Sequence, residues 1–99
     1  ITIAGNLNIA EWHKKHAYSP LQGSLDPAKQ PPLPARIKQW HLIGGMDDNI
    51  PALFSRQVIQ NQPKAEILYF EKFTHQCCWE DIWPSILGKI SGAKNAADK

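Results

Sequence analysis

Ile37-Lys-Gln-Trp40-His-Leu-Ile43-Gly-Gly-Met-Asp47-Asp-Asn-Ile-Pro51 is the stretch on which the fold turns. Residues Ile37 to Ile43, with Trp40, Leu42 and Ile43 as apolar mass, read as a buried β-strand. Gly44-Gly45 ends it. Pro51 stands where a helix starts, with Asp48 or Asn49 as candidate cap. Ala52 to Gln60 then reads as an amphipathic helix, with Phe54 and Val58 one turn apart, and Asn61-Gln62-Pro63 stops it.

The same rhythm extends in both directions. Downstream, Glu66-Ile-Leu-Tyr-Phe70 is a second strong strand, followed by a loop over Glu71 to Gln76. Trp79, Ile82, Trp83, Ile86, Leu87 and Ile90 fall on one stripe of a final helix. Pro84 is tolerable there only in the first turn, whose N–H groups lack internal partners. From Ser91 the Gly, Ala, Lys and Asp content predicts a flexible tail over 91–99. Upstream, Ile1 to Ala4 is a short strand and Ala10 to His16 a short helix. Ser19 to Pro34 is rich in turn residues and reads as a surface excursion, with Asp26-Pro27 able to open a helical turn.

Strand, excursion, strand, helix, strand, helix is the order of an α/β fold with parallel strands and covering helices. Two or three such strands leave an open sheet edge. With a first residue that is not Met and an opening inside an apolar run, this predicts a piece of a longer domain. The open edge would then be covered by the missing N-terminal part or by another copy of the chain.

Composition bounds the function. A net charge of +2 with no basic stripe argues against a nucleic-acid partner. Apolar runs are only a few residues long, so no transmembrane segment is expected, and no signal peptide is visible. The compartment stays open between cytoplasm and cell envelope. Adjacent Cys77 and Cys78 are not expected to bond each other, since the short ring strains the peptide.

In parallel α/β sheets, active-site groups collect in loops at the carboxyl ends of strands. Asp47 and His75 occupy two such loops. A carboxylate beside one imidazole nitrogen fixes the tautomer and stabilises the imidazolium formed when the ring takes a proton. Singly, an Asp in a Gly-rich loop before Pro is a helix cap, and a loop His is a solvated side chain. Together, in this order and at these positions, they read as an acid–base pair. No cofactor or metal is expected. His13 with His16 lacks a completing ligand, and His75, Cys77 and Cys78 are too close in sequence for an unstrained tetrahedral site. Cys77 as a nucleophile is a weaker reading. Trp12 reads as core, with a lesser reading of Trp12 and His16 as an active-site wall.

His41-Leu-Ile-Gly-Gly-Met-Asp47-Asp-Asn-Ile-Pro51 resembles the α/β-hydrolase segment that runs strand, Gly-x-x-Asp-x-x-x-Pro. Phe73-Thr-His75-Gln-Cys-Cys-Trp79 resembles that superfamily's histidine loop and final helix. Ala4-Gly-Asn-Leu7, Trp12, His16, Ser19-Pro-Leu21 and Gly23-Ser-Leu-Asp-Pro27 are similar to a group of mostly uncharacterised bacterial α/β-hydrolases, some of them lipoproteins. The resemblance covers residues 1–90 and implies the C-terminal part of an α/β-hydrolase domain. It implies Asp47, not Asp48, as the triad acid and His75 as the base, acting on a small ester-like acyl substrate. The chain departs from the family in having no Gly-x-Ser-x-Gly, so the nucleophile and oxyanion hole are expected upstream. These residues alone are expected to be inactive. The rival reading is a non-catalytic interaction domain on a hydrolase framework.

Overall fold

The computed structural model describes residues 1–19, 23 and 25–97. Three strands, β1 (Thr2–Ile3), β2 (Gln39–Gly44) and β3 (Ala65–Phe70), form one parallel sheet in the order β1-β2-β3. Three α-helices, α1 (Ile9–His16), α2 (Ala52–Ile59) and α3 (Trp79–Ala97), accompany them, with a 3₁₀ turn at Pro27–Lys29. The chain is therefore a small α/β arrangement.

β2 is the central strand, and all six of its residues are buried. Its neighbours explain this. Successive residues of β3 face opposite sides of the sheet. On one side Tyr69 carries the Arg56 guanidinium of α2, 5.0 Å from its ring centre. On the other, Phe70 meets Trp79 of α3 edge to face, with centroids 5.6 Å apart. The two helices thus cover opposite faces. Val58 and Ile59 of α2 and Ile86 of α3 are buried with Trp40, Leu42 and Ile43.

The excursion is held by a residue whose reach the sequence does not reveal. Asp26 caps the Pro27–Lys29 turn through Ala28 N–H, as the Asp-Pro pair predicts. Its carboxylate also accepts the N–H groups of Ile9 at 3.0 Å and Ala10 at 3.1 Å, at the start of α1. One buried Asp therefore satisfies orphan donors of two helical segments. The turns read at Ser19-Pro20 and Gly23-Ser24 involve Pro20 and Ser24, which lie outside the described residues.

Three expectations are corrected. Neither Asp48 nor Asn49 caps α2; Pro51 is the N-cap, and it is Asp47 that accepts the N–H groups of the preceding turn. Pro84 is not in the first turn of α3, because the helix already begins at Trp79. Its missing N–H leaves the Glu80 carbonyl without its helical donor. The apolar stripe of α3 is also less buried than its periodicity predicts. Only Ile86 is buried, while Trp79, Ile82, Trp83 and Ile90 are half-buried and Leu87 is exposed. Helical backbone continues to Ala97, past the onset of the Gly/Ala/Lys composition at Ser91; Asp98 and Lys99 lie outside the described residues.

Two polar residues of β2, Gln39 and His41, are buried within a chain of hydrogen bonds. The Gln39 amide donates to Gln62 Oε1 at 2.9 Å, so its own oxygen is free to accept from His41 Nε2, also at 2.9 Å. His41 Nδ1 is then the acceptor, 2.7 Å from the Thr2 hydroxyl of β1. The ring is fixed as a neutral tautomer. Burial lowers its pKa below the ordinary 6.5. Above the unfolded value both states are neutral, and the residue confers no pH dependence. Below it the unfolded chain takes up the proton first, so stability falls with pH until the folded ring also titrates. Urea midpoints measured from about pH 7.5 to about pH 5 should show this acid loss, and His41→Gln should flatten it. Identical pH slopes for the two proteins would mean that His41 carries no such penalty.

Candidate active site

The acid loop and the histidine loop leave the same sheet edge because β2 and β3 are parallel and Gly44 is in register with Phe70. Their backbones are then laced together. Gly45 N–H donates to the Phe70 carbonyl and Met46 N–H to the Phe73 carbonyl, each at 2.9 Å. This approach needs glycine. A Cβ at Gly44 would stand 2.5 Å from the Phe73 carbonyl oxygen and 3.0 Å from its carbon. A Cβ at Gly45 would meet the Tyr69 hydroxyl and, at 2.6 Å, the Glu71 carbonyl oxygen.

The lacing sets Asp47 against His75. Asp47 Oδ1 accepts Asn49 N–H at 2.9 Å and Ile50 N–H at 2.8 Å, which fixes the plane of the carboxyl group. Oδ2 is left pointing at His75 Nδ1, 2.9 Å away. Since Oδ2 accepts, Nδ1 carries the hydrogen, and a neutral ring presents Nε2 as a lone pair. The Asp47 side chain is 1% exposed and that of His75 37%, so the carboxyl group is sealed while the imidazole reaches solvent. Such a pair can take a proton at Nε2 and stabilise the resulting cation. Asp48, the adjacent carboxylate, is exposed.

His75 is braced from below. Its carbonyl accepts the indole N–H of Trp79 at 3.2 Å, and Trp79 packs edge to face on Phe73 and Phe70. Trp79 therefore links α3 to the histidine loop. The Thr74 hydroxyl accepts Cys77 N–H at 3.0 Å, and Thr74 N–H donates to the Cys77 carbonyl at 2.9 Å, closing the turn.

Cys77 and Cys78 lie side by side in this turn, with their Cα atoms 3.1 Å apart. Among the described residues no three of His, Cys, Asp and Glu gather as a metal cage.

The helix α1 also touches the acid loop. Trp12 Nε1–H donates to Asn49 Oδ1 at 3.2 Å and His16 Nε2–H to the Asn49 carbonyl at 2.9 Å. Tyr18 stacks on His16 and meets Trp12 edge-on. Trp12 and His16 thus lie against the acid loop, where sequence reasoning had only the two options of core or wall. Asn49, read only as a candidate cap, is the residue they hold. Its signal in the sequence, a polar residue two beyond the candidate acid, is too common to single it out.

Ser55 of α2 is buried and donates to the Gly5 carbonyl at 3.5 Å. No serine is hydrogen-bonded to His75 among the described residues. No helix among the described residues is long and apolar enough to cross a membrane. No protein-family model, curated protein or solved structure matches the chain.

Proposed function

We propose that Asp47 and His75 are the acid and base of a Ser-Asp-His hydrolase acting on a small ester-like acyl substrate, and that this chain is the C-terminal part of its α/β-hydrolase domain. The observation that carries the proposal is the 2.9 Å contact from His75 Nδ1 to a sealed Asp47, with the imidazole itself partly exposed to solvent. Parallel strands delivering both loops to one edge support the fold assignment. In this reading His75 Nε2 removes the proton of an upstream serine as its oxygen attacks the acyl carbonyl. The imidazolium, held by Asp47, then protonates the departing alcohol. Water attacks the acyl-serine by the same route, and the serine regains its proton.

A fluorophosphonate probe tests the proposal. A longer chain that includes the preceding sequence should be labelled at one serine within a Gly-x-Ser-x-Gly, and His75→Ala should suppress that labelling. These 99 residues alone should neither be labelled nor hydrolyse an activated ester above the rate of free imidazole. Absence of any labelled serine in the longer chain would leave the interaction-domain reading in possession.

A further inference from the structure

We propose that Asn49 is a positioning residue through which α1 holds the Asp47–His75 pair in register. Asn49 is the only residue bonded on one side to the acid and on the other to α1 among the described residues. Its N–H donates to Asp47 Oδ1 at 2.9 Å. Its carbonyl accepts from His16 Nε2–H at 2.9 Å, and its side-chain oxygen accepts from Trp12 Nε1–H at 3.2 Å. The two α1 donors sit on rings four residues apart, on one helix face. They fix Asn49 at both its main chain and its side chain.

The effect passes to His75 through the carboxyl plane. Among the described residues, Oδ1 is pinned by two N–H groups, those of Asn49 and Ile50, and Oδ2 by His75 alone. Tilting the Asn49 peptide rotates the carboxyl group and moves Oδ2 off the ring nitrogen. α1 itself is anchored by Asp26 at its first turn, so the path runs from the excursion, through α1 and Asn49, to the acid.

The test is the exchange of the His75 Nδ1 proton with water, followed by NMR. Trp12→Phe keeps a ring but removes the donor; Asn49→Ala removes the same bond from the other end. Each should speed exchange about tenfold, as loss of one hydrogen bond does. The double variant should be no faster than the singles, because both delete one interaction. His16→Gln, which keeps a donor, should stay near the parent rate, while His16→Leu should not. Amide protection in β2 and β3 should be unchanged throughout, which separates positioning from general loosening. If Trp12→Phe fails to fold, Asn49→Ala and the His16 pair carry the test alone. Parent-like exchange in Asn49→Ala and in His16→Leu, or strictly additive effects, would overturn the proposal.

The kinetic consequence rests on the hydrolase reading. In the serine-bearing protein, Asn49→Ala should lower kcat about tenfold to a hundredfold with KM little changed, the scale of a misplaced catalytic group. Absence of hydrolysis there, with the exchange effect intact, would count against the hydrolase reading and leave the positioning role standing.

Discussion

His75→Ala and Asp47→Asn are each expected to lower kcat by about 10⁴ in the serine-bearing protein, whereas Asp48→Asn should leave it within a few-fold of the parent. The difference follows from geometry. His75 Nδ1 has one acceptor, Asp47 Oδ2, and that oxygen has no other partner among the described residues. With an amide in its place, the group facing the ring is either a poorer acceptor or an N–H donor. A donor there favours the tautomer whose lone pair lies at Nδ1, so Nε2 is no longer the base. Asp48 is exposed, and its loss removes no contact of the pair. Steady-state kinetics on folded variants decides. Equal losses from Asp48→Asn, with none from Asp47→Asn, would assign the acid to the wrong carboxylate.

Gly44→Ala is expected to damage both stability and activity, although it adds a single methyl group. The Cβ would lie 2.5 Å from a main-chain oxygen of Phe73, and the obstacle is backbone with no rotamer to yield. The Phe73 segment must move away, and its hydrogen bond to Met46 stretches with it. Overpacking of this kind costs about 1–3 kcal/mol. His75 lies two residues beyond Phe73, so the displacement reaches the ring, and a misplacement near 1 Å costs about 10²-fold in rate. Urea melts and ester kinetics on the same preparation give both numbers. A variant with parent-like midpoint and kcat would show that the loops adjust independently.

The elements were largely legible in the sequence, because strong local signals made them. Trp40-His-Leu-Ile43 before Gly44-Gly45 marks a buried strand, and Ile67-Leu-Tyr-Phe70 marks its neighbour. The placement of Asp47 and His75 after these strands was legible for the same reason, and the structure brings the two side chains into hydrogen-bond contact. What was not legible are interactions of high sequence separation. Asp26 reaches back to Ile9, and Trp12 reaches forward to Asn49. Neither has a periodic signature, since both are set by how the excursion folds over the sheet. The polar chain through Thr2, His41, Gln39 and Gln62 was hidden for another reason. A buried-strand reading does not say which groups satisfy Gln39 and His41, and only the three-dimensional partners do. On α3, periodicity correctly grouped the apolar residues on a helix but overstated their burial, because a stripe shows which face is apolar and not how much of it is covered.

The parallel pairing of β2 with β3 also bears on the order in which the chain is assembled. β2 registers Gln39 against Ala65 across a connection that contains α2, whereas β1 registers Thr2 against His41 across the whole excursion, 39 positions away. Closing the shorter, helix-bearing connection costs less chain entropy and is the faster step. Asp47 and His75, 28 positions apart, are both carried by that inner unit and its flanking loops. The pair thus belongs to the part of the chain with the lower contact order. β1 and α1 are expected to dock later, onto an inner unit that already carries both the acid and the imidazole.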